Sequence, residues 1–362
     1  MLKKFAILFP LGILMAAAVW GFAAGSGEDP LVSLSYLTGA FTKTVEEEVE
    51  ELLDASDAAL LESAEKGESI TTVATSWAET RLKYGDALVG STGTNVLILA
   101  GGGQVTYSSG AVVDVTTGET VASGASLAVN HRYMVAEDTT ATFTVTSKTA
   151  VMDYQGEYAF SYSSAADYNA MAAALKTLHL FKGSFTGFGE GYDLEVAPTR
   201  LQALIMFIRV LGEEEEALAW TGTQPFKDIH EGTQAFQYVG YAYEKGYTNG
   251  YTATEFRPAG AVNAYQYTEF VLRAMGYSSA ANTNLADTLL RAWEAGVLTE
   301  GEVAYLQAET FLRSELVYIS YYALGSKLPE SSQTLSDLLQ DKGVFTAKEW
   351  KATQKLVTSS RV

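Results

Sequence analysis

The sequence contains no cysteine, which excludes disulfides, thiolate nucleophiles and cysteine-ligated metals together. Histidine is nearly as scarce. His131, His179 and His230 are the only three, and none stands at the helical or paired spacing of a zinc site, so no metal is expected. Basic residues are in deficit, with 24 Lys and Arg against 43 Asp and Glu for a formal charge of −19. That charge opposes long-range attraction to nucleic acid or an anionic membrane, so any anionic partner must be bound locally. Catalytic signatures are missing too. No G-x-S-x-G elbow occurs, "GSTG" (90 to 93) reads as a turn, and "LAGGGQV" (99 to 105) lacks the following helix that a phosphate cradle needs. Neither an enzyme nor a cofactor is expected, although carboxylates are abundant enough to leave a catalytic pair open.

What is present is an ordinary globular composition, 48% hydrophobic and 19% charged over 362 residues, enough for two or three domains. Lys3 and Lys4 precede an apolar run from Phe5 to Trp20, followed by small residues up to Gly25. This order predicts a secretory signal peptide over 1–24, the alternative being an uncleaved anchor. No later run is long enough to span a bilayer. Residues 25–81 are read as an N-terminal helical segment. In it Val45, Val49, Leu52, Leu53, Leu60 and Leu61 form a broken apolar stripe, and Thr44 with Glu47 forms a capping box.

From 82 to 162 the period falls to two. "TATFTVTS" alternates Ala141, Phe143 and Val145 with threonines, and glycines at short intervals supply turns. This predicts a small antiparallel β-sandwich or barrel of seven or eight strands.

From 163 the pattern is helical and it repeats. "PTRLQALIMFIRVLG" (198 to 212), "VNAYQYTEFVLRAMG" (262 to 276) and "FLRSELVYISYYALG" (311 to 325) superpose at offsets of 64 and 113, each ending in a glycine suited to a left-handed helix terminus. Their shared inner stripes are Ala203, Met206, Phe207, Val210, Leu211; Tyr267, Phe270, Val271, Ala274, Met275; and Leu316, Ile319, Ser320, Ala323, Leu324, with Ser320 the one polar member. The preceding helices align as "LKTLHLFKG" (175 to 183), "AYEKGYTNG" (242 to 250) and "AWEAGVLTE" (292 to 300). Three helix-loop-helix units (163–220, 221–280, 281–325) should therefore pack as one all-α bundle, because one hairpin cannot bury its own apolar side. The tail 326–362 is patterned as an accessory helical hairpin around 335–339 and 347–356.

"PFKDI" (225 to 229), "YAYEKGYTNGYTATEFRP" (241 to 258) and the "TRLQ"-type helix starts resemble an S-layer homology region over about 165 to 325. "VVDVTTGETVASGASLAVNHRYMVAE" (112 to 137), with "DPLVSLSYLTG", resembles the front module often joined to such repeats in exported clostridial-type proteins. The resemblance implies a Gram-positive-type surface protein whose repeats hold an acidic secondary cell-wall polysaccharide, often pyruvylated, in grooves between them. Thr199 with Gln202 and Asn263 with Gln266 read as capping boxes. Arg200 and Arg313 are cations in a first helical turn, where they oppose the macrodipole by roughly 0.3–1 kcal/mol. The resemblance assigns them to the polymer's acid groups, and an inter-repeat salt bridge is the competing reading.

Repeat two has Ala264 at the arginine position, which makes its groove a candidate for vestigial status. Arg257, in the inter-helix loop, is either a substitute or a solvated charge. Asp228 is either a helix-entry cap or a ligand contact, and Gly250 serves either turn geometry or close approach of a sugar. Tyr267 belongs to the core. The whole reads as an exported, non-catalytic protein of α+β multidomain fold, anchored non-covalently to wall polysaccharide at the cell wall or S-layer. Other surface proteins remain open as partners, and nucleic acid is excluded, as is membrane once the signal is cleaved. The alternative makes the β module the functional unit, binding glycan or protein or acting as a surface hydrolase, with the repeats as tether.

Overall fold

The computed structural model describes residues 72–183, 192–278 and 284–361. The expected signal peptide and the helix beginning near Thr44 lie outside the described residues.

Ten strands form one antiparallel sheet: β1 (Thr72–Lys83), β2 (Ala87–Gly90), β3 (Asn95–Ala100), β4 (Gly103–Thr106), β5 (Val112–Asp114), β6 (Glu119–Val121), β7 (Ser126–Leu127), β8 (Arg132–Val135), β9 (Ala141–Val145) and β10 (Thr149–Ser161). Their order is β6-β5-β8-β3-β10-β2-β9-β4-β7, with β1 paired to β10. β10 organises the sheet. Its Val151–Gln155 stretch pairs with β3 and its Tyr158–Ser161 stretch with β2, while β1 runs along the opposite edge. At the handover Gly156 has φ +114°, and a Cβ there would lie 2.8 Å from the Thr94 Cα. Only glycine permits both the conformation and the approach. The bend lets Leu88, Val105 and Phe143 from one half share a core with Val96, Ile98 and Val112 from the other. The result is a half-barrel. The alternation of Ala141, Phe143 and Val145 is observed, all three being buried.

The strand count exceeds the expected seven or eight, and β1 begins at Thr72, inside the stretch read from sequence as helical. All but its last two residues, "TVATSWAETR", are exposed or only partly buried, so no period-two signal exists there for sequence to show.

The helices are α1 (Tyr168–Thr177), α2 (Arg200–Val210), α3 (Glu214–Ala219), α4 (Gln234–Glu244), α5 (Ala264–Ala274), α6 (Thr288–Glu294), α7 (Glu300–Ala308), α8 (Arg313–Ala323), α9 (Leu335–Asp341) and α10 (Ala347–Leu356). α2, α5 and α8 each have 11 residues and start at the offsets read from sequence. They touch one another pairwise. Of their inner stripes every residue is buried except Ala274, which is half-buried. The polar exception has a partner: the Tyr267 hydroxyl lies 2.6 Å from Ser320 Oγ, which donates to the Leu316 carbonyl at 2.7 Å.

The outer helices end alike. The carbonyl of Leu175 accepts from the N–H groups of Leu180 and Phe181, that of Ala242 from Tyr247 and Thr248, and that of Ala292 from Val297 and Leu298. In each case the fourth residue on is left-handed: His179 (φ 62°), Gly246 (74°) and Gly296 (71°). This is the paired-carbonyl stop of a helix C-terminus. α4 then packs on α2, α6 on α5, and α1 on α8. Each outer helix thus covers a central helix of a different sequence unit, and the last contact closes the ring.

Two details depart from the sequence reading. Gly212 and Gly276 are left-handed, but Gly325 is absent from the positive-φ residues. The end of α8 instead tightens through bonds three residues back, from Leu324, Gly325 and Ser326 to Tyr321, Tyr322 and Ala323, which needs no left-handed residue. The third unit also carries α7, an extra helix between α6 and α8. α9 and α10 occupy the patterned parts of the tail, with α10 against α1. Among the described residues no helix is long and apolar enough to cross a membrane.

Gly156→Ala should lower stability by about 2 kcal/mol or more, through a strained φ and backbone overlap. Urea denaturation of the chain followed by tyrosine fluorescence checks this; an unchanged midpoint would show that β10 does not depend on the bend.

Candidate functional site

The ring creates recesses where the start of one central helix, the end of an outer helix and the flank of the next central helix meet. One recess, of about 230 Å³, is lined by Arg200 of α2, by Thr248 to Tyr251 after α4, and by Gln266, Glu269, Phe270 and Arg273 of α5. A second, of about 160 Å³, is lined by Arg313 of α8, by Phe181 and Gly183 after α1, and by Gln202, Ile205, Met206 and Arg209 of α2. The α5 positions of the one are the α2 positions of the other shifted by 64, and Gly250 stands to Ala242 as Gly183 does to Leu175. They are the same groove built twice.

Both arginines are buried, at 7% and 8% exposure, and the Nε of each has no hydrogen-bond partner. Among the described residues neither forms a salt bridge. Arg200 Nη2 donates to the Gly250 carbonyl at 3.2 Å and approaches Thr248 Oγ1 at 3.5 Å. Its guanidinium lies over the rings of Phe256 (5.0 Å) and Phe270 (5.6 Å), and Arg313 lies over Phe181 (5.9 Å). Aromatic faces offset part of the desolvation of a cation but do not neutralise it. Burial holds the Arg200 guanidinium below its ordinary value, and nearby Arg273 adds to this. Burial also lowers Arg313, opposed by Asp193 and Glu195. An anion entering either groove would relieve both effects.

The second arginine of each groove is compensated. Arg273 Nε donates to Glu269 at 2.8 Å, and Arg209 Nε to Glu214 at 2.8 Å. Burial works against the charge of Glu214, but donors from Lys182, Tyr238 and Arg209 outweigh it and hold the carboxyl down at about 2. Glu269 is also lowered despite burial, by Ser278, Arg291 and Arg273. Each groove therefore has one paired arginine on its wall and one unpaired arginine at a helix start.

The other expected site residues separate. Gly250 belongs to the first groove. Its φ is +80°, a Cβ would strike Phe226 at 2.2 Å, and its carbonyl receives Arg200, so the turn and the approach are both served by the missing side chain. Asp228 does not line it. Its carboxylate accepts from the backbone N–H groups of Phe256 (2.9 Å) and Arg257 (2.7 Å), fixing the loop that holds Phe256 under Arg200. Arg257 does not itself line the groove: it pairs with Glu255 at 3.1 Å, is about half exposed, and stacks 3.8 Å over the ring of Tyr251 at the rim. Tyr267 is core, as expected. The capping boxes at Thr199–Gln202 and Asn263–Gln266 are formed. At α8 only half a box exists, Glu315 accepting from the Leu312 N–H at 2.7 Å. Sequence reasoning missed Arg209 and Arg273, although they fall on each other at the offset of 64.

Residues 225–263 match the family model of the S-layer homology domain. This chain carries an S-layer homology domain. The match covers α4 and the loop that supplies Thr248 and Gly250, and it supports a place at the cell surface and an anchoring role there. No curated protein matches the chain. Among solved structures a crystal structure of pumpkin seed globulin is similar at 10% identity and a TM-score of 0.16, covering 28% of this chain and 28% of that one; so small a likeness carries no argument.

Stability linked to Glu214 should be complete above its ordinary value of 4.5 and lost as pH falls toward about 2. With solvent screening of its partners the effect is on the order of 1 kcal/mol. Glu214→Gln should flatten the acid limb of stability, read from urea midpoints across that range; an identical limb in the variant would remove Glu214 from it.

Proposed function

We propose that this chain is a non-catalytic cell-surface protein whose helical ring consists of three S-layer homology-type units and binds an anionic wall polysaccharide in its two equivalent grooves. The observation that carries this reading is the pair of buried, unpaired guanidinium groups, Arg200 and Arg313, held in matching recesses of a chain with a formal charge of −19. A salt bridge is the ordinary way to settle a buried arginine, and neither arginine has one among the described residues. The open Nε of each guanidinium is a planar cationic donor, suited to a sugar-linked carboxylate or phosphate. Arg209 and Arg273 on the walls add positive potential without being free to move, since their carboxylates hold them. Tyr251, half exposed at the rim, offers a face for a sugar ring.

Binding would be local. At physiological salt, interactions between exposed charges fade over about 8 Å, so the acidic surface does not cancel a contact made inside a desolvated groove. Export and wall attachment follow from the same reading, with the half-barrel carried outward by the anchored ring.

The test is cosedimentation of the full chain with purified wall sacculi, before and after acid stripping of the secondary polymer. Binding should vanish on stripping. Arg200→Ala and Arg313→Ala together should weaken it at least about 10-fold while leaving helicity unchanged, since a charged hydrogen-bonded contact contributes roughly 1.5–3 kcal/mol. Retention that survives stripping, or that ignores both substitutions, would exclude the grooves as the anchor. Turnover of a glycan substrate by the purified protein would overturn the non-catalytic part.

A further inference from the structure

A ring of three predicts a third groove, formed by the start of α5, the end of α6 and the flank of α8. Its composition differs from the other two. The helix-start arginine is replaced by Ala264, and the wall position matching Arg209 and Arg273 is Tyr322. The place of that wall arginine is not vacant. In the first groove Arg273 Nη1 reaches the Tyr247 carbonyl at 3.5 Å, five residues after Ala242. In the third, Arg361 Nη2 reaches the Val297 carbonyl at 3.0 Å, five residues after Ala292. Arg361 comes from the segment beyond α10 and lies 4.6 Å over the Tyr322 ring.

Its counterion is built for it. Glu302 of α7 is 0% exposed, and its two oxygens accept from Arg361 Nε and Nη2 at 2.6 Å each. Tyr318 also donates to Glu302, at 2.7 Å. The chain reaching Arg361 is seated by Ser359, whose Oγ accepts from the Asp167 N–H at 3.0 Å. A fork-to-fork pair between a planar cation and a fully buried carboxylate, capped by an aromatic face and a carbonyl, is specific for guanidinium over ammonium.

We infer that the third groove is a guanidinium-binding site of opposite preference to the other two, and that this chain's own Arg361 is its resident ligand, latching the C-terminal segment into the ring. The extra helix α7 then has a purpose, since it supplies Glu302. The groove is closed to anions for two independent reasons: Ala264 offers no donor, and Glu302 would repel them. The inference rests on this geometry and does not depend on what the other grooves hold.

Chemical rescue tests it on the full chain. Arg361→Ala leaves Glu302 buried without a counterion and should lower Tm by roughly 5 °C or more. Millimolar N-ethylguanidinium should restore part of that loss saturably, ethylammonium should not, and neither should raise the Tm of the wild type. The rescue should disappear in Arg361→Ala/Glu302→Gln. Arg361→Lys, which keeps the charge and loses the fork, provides a milder background if the alanine variant does not fold, and should show the same guanidinium-specific gain at smaller amplitude. Absence of a guanidinium-specific gain in both backgrounds, or an equal gain without Glu302, would overturn the site. A lysine variant as stable as the wild type would overturn its specificity.

Discussion

The helical part depends on one packing constraint: no helix pair here buries its own apolar stripe. The stripes of α2, α5 and α8 face each other, and their remaining flanks are covered by α4, α6 and α1. The contact of α1 with α8 matters most, because it joins the first outer helix to the last central one across the whole sequence of the ring. Without it one flank of α8 and the face of α1 would both be exposed. With it, both grooves lie between neighbouring units of the ring, and each draws on three separate stretches of chain. Function placed in such a recess is therefore conditional on complete closure of the ring.

Closure also explains how a strongly acidic chain can hold unpaired cations. Burying a guanidinium costs several kcal/mol unless something compensates, and here the wall arginines and the helix-start arginines are treated differently. Arg209 and Arg273 sit in the last turn of their helices, where the macrodipole favours a cation, and each has a carboxylate. Arg200 and Arg313 sit in the first turn, where the dipole opposes them, and among the described residues neither has a salt bridge: Arg200 has ring faces, a carbonyl and a threonine hydroxyl, and Arg313 a ring face and the more distant influence of Asp193 and Glu195. All four line the recesses, and in each recess the helix-start arginine is the destabilised one. Unfavourable electrostatics in the empty groove becomes differential affinity when an anion arrives, provided the rest of the ring keeps the helix starts in place.

Much of this architecture was legible in the sequence because it is local. The offsets of 64 and 113, the stripe positions and the two capping boxes are periodicity and spacing, and each has a direct backbone meaning. Asp228 was legible as a helix-entry cap or a ligand contact and Gly250 as a turn residue or a point of sugar approach; in the structure Thr233, not Asp228, caps α4, and Asp228 instead braces the loop at Phe256 and Arg257. Arg209 and Arg273 were visible as a matched pair, yet a basic residue in the last turn has an ordinary explanation in the dipole, which hides a second use. The grooves were expected only from the resemblance; which segments wall them could not be read, since the second groove requires knowing that α1 packs on α8. β1 was hidden because an edge segment exposed on both faces has no alternation, and the departure at Gly325 because a helix can end without a left-handed residue.

The asymmetry of the ring has a consequence for binding. On the proposed reading, with Arg361 and Glu302 occupying the third groove, a polymer of repeating anionic units would meet two receptive grooves on one ring. Once one groove is filled, the second faces an effective concentration set by the polymer's own stiffness, which for short flexible spans is on the order of millimolar. Individually weak grooves would then suffice for firm attachment, and loss of one arginine would cost more than its own contact. On that reading two grooves are enough for an anchor, which leaves the third recess to hold the chain that follows α10 through Arg361 and Glu302.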